Sequence, residues 1–161
     1  MIFIVLGSQK FPFDRLLQSV DKLVAEGKIT GDIFAQRGAS SYMPQKFPSE
    51  SFMDTERFNQ EMKRADIIIT HGGTGAIIKA VKLGKQVIVV PRRAQYGEHV
   101  DDHQLQILDM FAGLDLVLPC MDPDQLDEAV EKAKTMTFRS YESNTQTIVN
   151  DIDGYIQSLM G

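Results

Sequence analysis

Apolar residues in this chain come in short unbroken runs separated by longer amphipathic stretches. Residues 2–6, "IFIVL", form the first run, and its lack of alternation predicts a strand buried on both faces. Residues 32–36 ("DIFAQ"), 66–70 ("DIIIT"), 86–90 ("QVIVV") and 114–118 ("LDLVL") repeat the pattern, and 51–53 ("SFM") predicts a shorter strand. Between the runs the apolar spacing turns helical. Over 13–25, Leu16, Leu17, Val20, Leu23 and Val24 share one face, with Gly27 near the end. Asp54 or Thr55 can cap a helix through Arg64, and a helix over 75–83 stops at Gly84. A further helix is expected from Gly97 to about Met110. In "DPDQ", Asp122 is placed to cap, Pro123 to take the first helical position and Gln125 the third, so a helix to Lys134 follows. A last helix over 144–159 carries Ile148, Ile152, Tyr155, Ile156 and Leu159 as its stripe. Gly38, Ser40, Ser41, Pro44 and Pro48 mark 37–50 as a loop.

Strands alternating with helices predict a single α/β domain over 1–161, a Rossmann-like, doubly wound parallel sheet of about six strands. In such folds ligands bind beyond the C-terminal ends of the strands. Three polar or glycine-rich segments fall there: Gly7-Ser8-Gln9, the stretch from His71 to Gly75, and the stretch from Arg92 to Gln104.

A net charge of −5 argues against a general nucleic-acid or membrane-surface role. The single cysteine, Cys120, cannot form an internal disulfide, so a reducing, cytoplasmic setting is expected. Cys120 itself reads as a small core residue beside a helix start. The apolar N-terminal run is too short for a signal segment or a membrane span.

"THGGTGA", residues 70–76, follows a strand and opens a helix. Its glycines let a ligand approach the backbone, and the N–H groups at the helix start suit an anion, above all phosphate. A turn that merely needs glycine is the plainer account. Gly84-Lys85-Gln86 is no P-loop, because the upstream glycine and the Ser/Thr are missing. Gly7-Ser8-Gln9 lacks the later glycines of a dinucleotide fingerprint, yet Gly7 and Ser8 can offer backbone donors to a second phosphate. Arg92 and Arg93 follow Pro91 at the sheet mouth, where an arginine fork suits a diphosphate. Solvated surface arginines are the alternative, and Arg37 beside Gly38 has the same two readings.

"GEHVDDHQLQI", residues 97–107, sets His99 and His103 four apart, with Glu98 and Asp102 beside them. A zinc site needs about three ligands and an open position, and HxxxH supplies two. Val100 occupies the place where a metalloprotease signature needs Glu. A solvated helix start explains the carboxylates. An array for sugar hydroxyls explains the carboxylates, histidines and Gln104 together.

Taken together, "VLGSQKFPFDRLLQSVDKL", "FAQRG", "ADIIITHGGTGAIIKAVKLGKQVIVVP" and "YGEHVDDHQLQI" resemble the C-terminal, donor-binding half of family 28 GT-B glycosyltransferases. The resemblance runs from Met1 to at least Val117. It is closer to stand-alone catalytic subunits of this design, found in the eukaryotic dolichol pathway and in bacterial capsule and exopolysaccharide synthesis, than to the two-domain peptidoglycan enzyme. The resemblance implies that Gly7 and Ser8, with His71, Gly72, Gly73, Thr74 and Gly75, hold a UDP diphosphate, and Arg92 is assigned to the same end. It implies that Asp102, His103 and Gln104 contact the donor sugar, with Glu98 and His99 supporting the pocket. It further implies an inverting, metal-independent transfer of a hexose or N-acetylhexosamine from a UDP-sugar to a lipid-linked acceptor. A membrane-associated partner would bind that acceptor, supply the general base and hold the chain at the membrane. Homo-oligomers are the expectation for the isolated chain. In some relatives an acidic residue binds the ribose where this chain has Lys79. The competing expectations are a non-catalytic sugar-nucleotide module and a metal-dependent hydrolase using His99, His103 and a carboxylate. The last helix and the segments Phe11-Pro12-Phe13 and Phe47-Pro48 are candidate partner contacts, with ordinary packing the preferred account for most of them.

Overall fold

A computed structural model describes residues 1–6, 14–38, 40–71, 74–90, 117–120 and 122–135. Six strands form one parallel sheet: β1 (Ile2–Val5), β2 (Ile33–Gln36), β3 (Ser49–Glu50), β4 (Ile67–Thr70), β5 (Gln86–Val89) and β6 (Leu118–Pro119). Their order is β3-β2-β1-β4-β5-β6, so the chain first winds outward from β1 in one direction and then returns to wind in the other. The reversal falls between β1 and β4, the place where doubly wound sheets open a crevice at their C-terminal edge.

Burial on both faces explains the continuous apolar runs. Ile2, Ile4 and Leu6 face one cluster with Ile67, Ile69 and Ile88, covered by α1 (Asp14–Ala25) and α4 (Leu126–Thr135). Phe3 and Val5 face the other with Ile68, Val87 and Val89, covered by α2 (Thr55–Arg64) and α3 (Thr74–Lys82). Phe3 packs its ring against Phe34 and Phe58 at centroid separations of 6.3 and 5.8 Å.

Local sequence fixes the element ends. Asp54 caps α2 by accepting from the Arg57 N–H at 2.7 Å. At the end of α3, Gly84 takes φ +71°, and the Lys85 N–H reaches back to the Ala80 carbonyl at 3.1 Å. Gly27 ends α1 the same way, at φ +74° with the Lys28 N–H on Leu23 O at 2.9 Å.

Several expectations need correction. The third strand is Ser49–Glu50, not 51–53. Its position follows backbone pairing with Ala35 and Gln36, while Phe52 stands 57% exposed beyond it. An edge strand this short carries no apolar signature of its own. Of the sixth strand expected over 114–118, residues 114–116 lie outside the described residues, and β6 is Leu118–Pro119, with Pro119 tolerated because it closes an edge strand. Asp122 does cap, but its carboxylate accepts from Asp124 N–H, and residues 123–125 form a 3-10 turn before α4 begins. Phe47 is buried in the α1-side cluster, so it is core and not a contact surface. The helices expected over 97–110 and 144–159, and the segment 11–13, lie outside the described residues.

Candidate functional site

The strand ends at the switch point are tied to one another. Thr70 is fully buried, and its hydroxyl donates to the Val5 carbonyl at 2.9 Å, fastening the end of β4 to the end of β1. The Thr70 carbonyl accepts from Val90 N–H at 2.8 Å, so β5 joins them, and Leu6 N–H donates to Gln36 O at 3.1 Å on the other side. Leu6 is the residue before Gly7-Ser8, and Thr70 precedes His71-Gly72-Gly73. The two glycine-containing segments therefore depart from adjacent strands, at the reversal, from positions that cannot drift apart.

His71 is 3% exposed, held at the carboxyl end of β4. α3 begins three residues later, at Thr74. Its first turn has no acidic residue, while Lys79 and Lys82 lie in its last. The four N–H groups of a first helical turn have no acceptor within the helix, and the helix dipole adds positive potential there. No side-chain carboxylate of that turn neutralises this potential.

Lys79 is committed elsewhere. Its ammonium donates to Asn59 Oδ1 and lies 5.0 Å from the centre of the Phe58 ring, so it binds α3 to α2. A residue at this position that serves the α2–α3 contact is not an acidic ribose ligand.

The loop after β2 is held over α1 by two carboxylates two turns apart. Asp14 accepts from Ser41 Oγ at 3.0 Å and Tyr42 N–H at 2.9 Å. Asp21 accepts from Tyr42 OH at 2.6 Å and from the Gln45 and Lys46 N–H groups, the latter at 2.8 Å. Burial works to raise the Asp21 pKa, but these hydrogen bonds and the Lys46 charge outweigh it and hold the carboxyl below its ordinary value. The same hydrogen bond raises the Tyr42 phenol. Cys120 is buried, which pushes its thiol up to about 11 and leaves it without the thiolate that nucleophilic work needs.

Of the predicted site residues, His71 is placed and buried, and Thr74 and Gly75 are placed as the first two positions of α3. Gly7, Ser8, Gly72, Gly73, Arg92, Glu98, His99, Asp102, His103 and Gln104 lie outside the described residues. Two cavities, of about 410 and 430 Å³, share Met1, Gly31 and Asp32 in their walls. Both open at the N-terminal edge of the sheet, opposite the switch-point mouth. Among the described residues no three His, Cys, Asp or Glu side chains gather as a metal site. No described helix is long and apolar enough to cross a membrane.

Comparison with known proteins agrees with this architecture. The UDP-N-acetylglucosamine transferase subunit ALG13 of Homo sapiens is 27% identical over 115 residues, covering 66% of this chain and 10% of that protein. The chain thus spans about a tenth of this relative's length. The solution structure of ALG13 superposes with a TM-score of 0.59 at 21% identity, covering 91% of both chains. The crystal structure of Acinetobacter baumannii MurG gives a TM-score of 0.56 at 19% identity, covering 94% of this chain and 49% of that one. At these identities the structures speak for the fold, which they share with a six-stranded parallel sheet wound on both faces. The model of the glycosyltransferase family 28 C-terminal domain matches residues 1–158, and this chain belongs to that family.

Proposed function

We propose that this chain is the catalytic, donor-binding subunit of a two-component inverting glycosyltransferase. It moves a hexose or N-acetylhexosamine from a UDP-sugar to a lipid-linked acceptor. The observation that carries the proposal is the junction of Val5, Thr70 and the start of α3 at the sheet reversal. Two glycine segments leave from there beside the first N–H groups of α3, which have no acceptor within the helix and suit a diphosphate. Family membership supports the same reading.

In the proposed mechanism the acceptor hydroxyl attacks the anomeric carbon, and the bond to the UDP oxygen breaks as the new bond forms. Charge builds on the departing diphosphate. N–H groups of Gly7, Ser8, the 71–75 segment and α3 stabilise that charge in the transition state, with Arg92 beside them, so no metal is required. Asp102, His103 and Gln104 fix the sugar through its hydroxyls, with Glu98 and His99 shaping the pocket. A single Rossmann-like unit offers one wall of the cleft. The other wall, with the acceptor site and the general base, comes from a membrane-associated partner that holds this chain peripherally on the cytoplasmic side.

The test is a thermal-shift panel of UDP-sugars with chelator present, followed by transfer assays after reconstitution with the membrane partner. UDP and one UDP-sugar should stabilise the chain, and His103→Ala and Gln104→Ala should abolish transfer while the UDP shift persists. Absence of stabilisation by every nucleotide would sink the proposal. Nucleotide binding without transfer in the complex would favour a non-catalytic sugar-nucleotide module. Stabilisation that vanishes with chelator would favour a metal-dependent enzyme.

A further inference from the structure

We infer that residues 41–46 form a latched strap, a segment that opens and closes over α1 as one unit, independently of the sheet, and gates the cavity at its far end. The inference stands on the strap's own geometry and does not depend on the proposed reaction.

The segment runs from the end of β2 towards the start of β3, and both its ends are fixed. On one side Gly38 turns the chain at φ +61°, and Ser40 N–H donates to Arg37 O at 3.2 Å. On the other, Phe47 is buried in the α1-side cluster, and Pro48 O accepts from Ala35 N–H at 3.2 Å. Between these anchors the segment pairs with no described strand. Every hydrogen bond that 41–46 makes among the described residues ends on Asp14 or Asp21. Ser41 Oγ and Tyr42 N–H donate to Asp14, while Tyr42 OH and the Gln45 and Lys46 N–H groups donate to Asp21. Tyr42 bonds both carboxylates, through its backbone at 2.9 Å and its phenol at 2.6 Å, so it couples the two halves of the latch.

The hold is polar. Ser41, Gln45 and Lys46 are exposed, and Met43 is 59% exposed. Tyr42 is half-buried and packs against the apolar cluster from outside. A segment with little apolar burial, whose hydrogen bonds gather on two side chains, opens at a lower free energy than a buried strand. Lys46 also lines a cavity of about 410 Å³, together with Val24, Ile33, Phe47 and Pro48. It is both the last latch point and part of that wall, so releasing the latch moves the wall and widens the cavity.

Native-state hydrogen exchange of the full chain at neutral pH, followed by NMR across low urea concentrations, tests this. The amides of Tyr42, Gln45 and Lys46 should share one opening equilibrium, more favourable than that of strand amides such as Ile4 and Ile69 and nearly insensitive to urea. Tyr42→Phe removes one bond to a carboxylate and should speed all three about tenfold. Asp14→Asn separates a unit from a set of independent bonds, because no hydrogen bond joins Asp14 to Gln45 or Lys46. A single unit accelerates at all three amides by the same factor. The amides of Ala35 and Arg37, which bond to Pro48 and Glu50, should keep their wild-type exchange in both variants. Asp21→Asn should keep the native circular dichroism and bind the dye ANS more strongly as the cavity wall is released. Acceleration confined to Tyr42 in Asp14→Asn overturns the unit. Strap amides that exchange with the same urea dependence as strand amides overturn its independence from the sheet. Unchanged ANS emission in Asp21→Asn, with the strap amides accelerated, overturns the gating of the cavity.

Discussion

At the scale of single residues, two buried hydrogen-bonding groups tie the loops of this molecule to its sheet and helices. Thr70 offers the cleaner experiment. Thr70→Val keeps the shape of the side chain and removes the hydroxyl that reaches Val5 O. The stability cost should be about 1 kcal/mol by urea unfolding, the ordinary worth of such a bond. UDP affinity should fall by more than that cost alone explains, because the two glycine segments lose their common anchor. Equal affinity in the variant would show that the tie is structural only. Asp21 gives a pH signature. Its folded pKa is below 3.8, so the unfolded chain binds more protons across that interval. Its contribution is fully present above the unfolded value and is lost as pH falls through the lower, folded value. Asp21→Asn should cost roughly 1–3 kcal/mol at neutral pH and flatten the acid limb of the stability curve below about pH 4. Thermal melts at pH 7, 4 and 3 measure both effects, and an unchanged acid limb would count against the assignment. Neither role could be read from the sequence. Asp14 and Asp21 are visibly seven apart on one helix, but nothing in the chain announces that residues 41–46 fold back onto them.

At the scale of elements, glycine carries the helix ends. Gly84 and Gly27 both hold positive φ, and a Cβ added at either meets no atom within 4 Å. The penalty for alanine is therefore conformational and free of clash, roughly 1 kcal/mol at each position. α1 and α3 lie on opposite faces of the sheet, so the two penalties should add in the double variant. Denaturant midpoints check this, and a double variant no worse than either single one would refute it. These stops were legible beforehand because helix termination is local chemistry: a glycine just past an apolar stripe. The α2 cap was narrowed to Asp54 or Thr55, and Asp54 takes it. The strands with continuous apolar runs were legible for the same reason, each burying both faces. β3 was not, because its two polar residues are strand by virtue of what they pair with. The turn at 123–125 shows the same limit. Asp122-Pro123 marks the start of a helix, but whether the first turn winds as α or 3-10 depends on the wider packing, such as Ser19 Oγ donating to Asp124 at 2.7 Å from α1.

At the scale of the whole molecule, the sheet has two edges with opposite character, and they make opposite predictions about the ligand. Sequence spacing alone put "THGGTGA" after a strand and before a helix, and topology added that this strand adjoins β1 at the reversal. The N-terminal edge holds two cavities around Met1, Gly31 and Asp32, on the side of the sheet away from the proposed chemistry. Hydrogen exchange separates them. UDP at 100 times its Kd should stabilise the fold by about 2.7 kcal/mol if it binds only the native chain. For a chain of this size that raises the melting temperature by about 5–10 °C. Exchange protection should gather at the amides of Leu6 and Val90 and along the first turn of α3. The amides of residues 30–33 and 66–67, beside the N-terminal cavities, should gain only the uniform part that follows from global stabilisation. Protection concentrated at 30–33 would place the nucleotide at the wrong edge of the sheet. The diphosphate assignment to Gly7, Ser8 and the 71–75 segment would then fall, even though the fold and the family would stand.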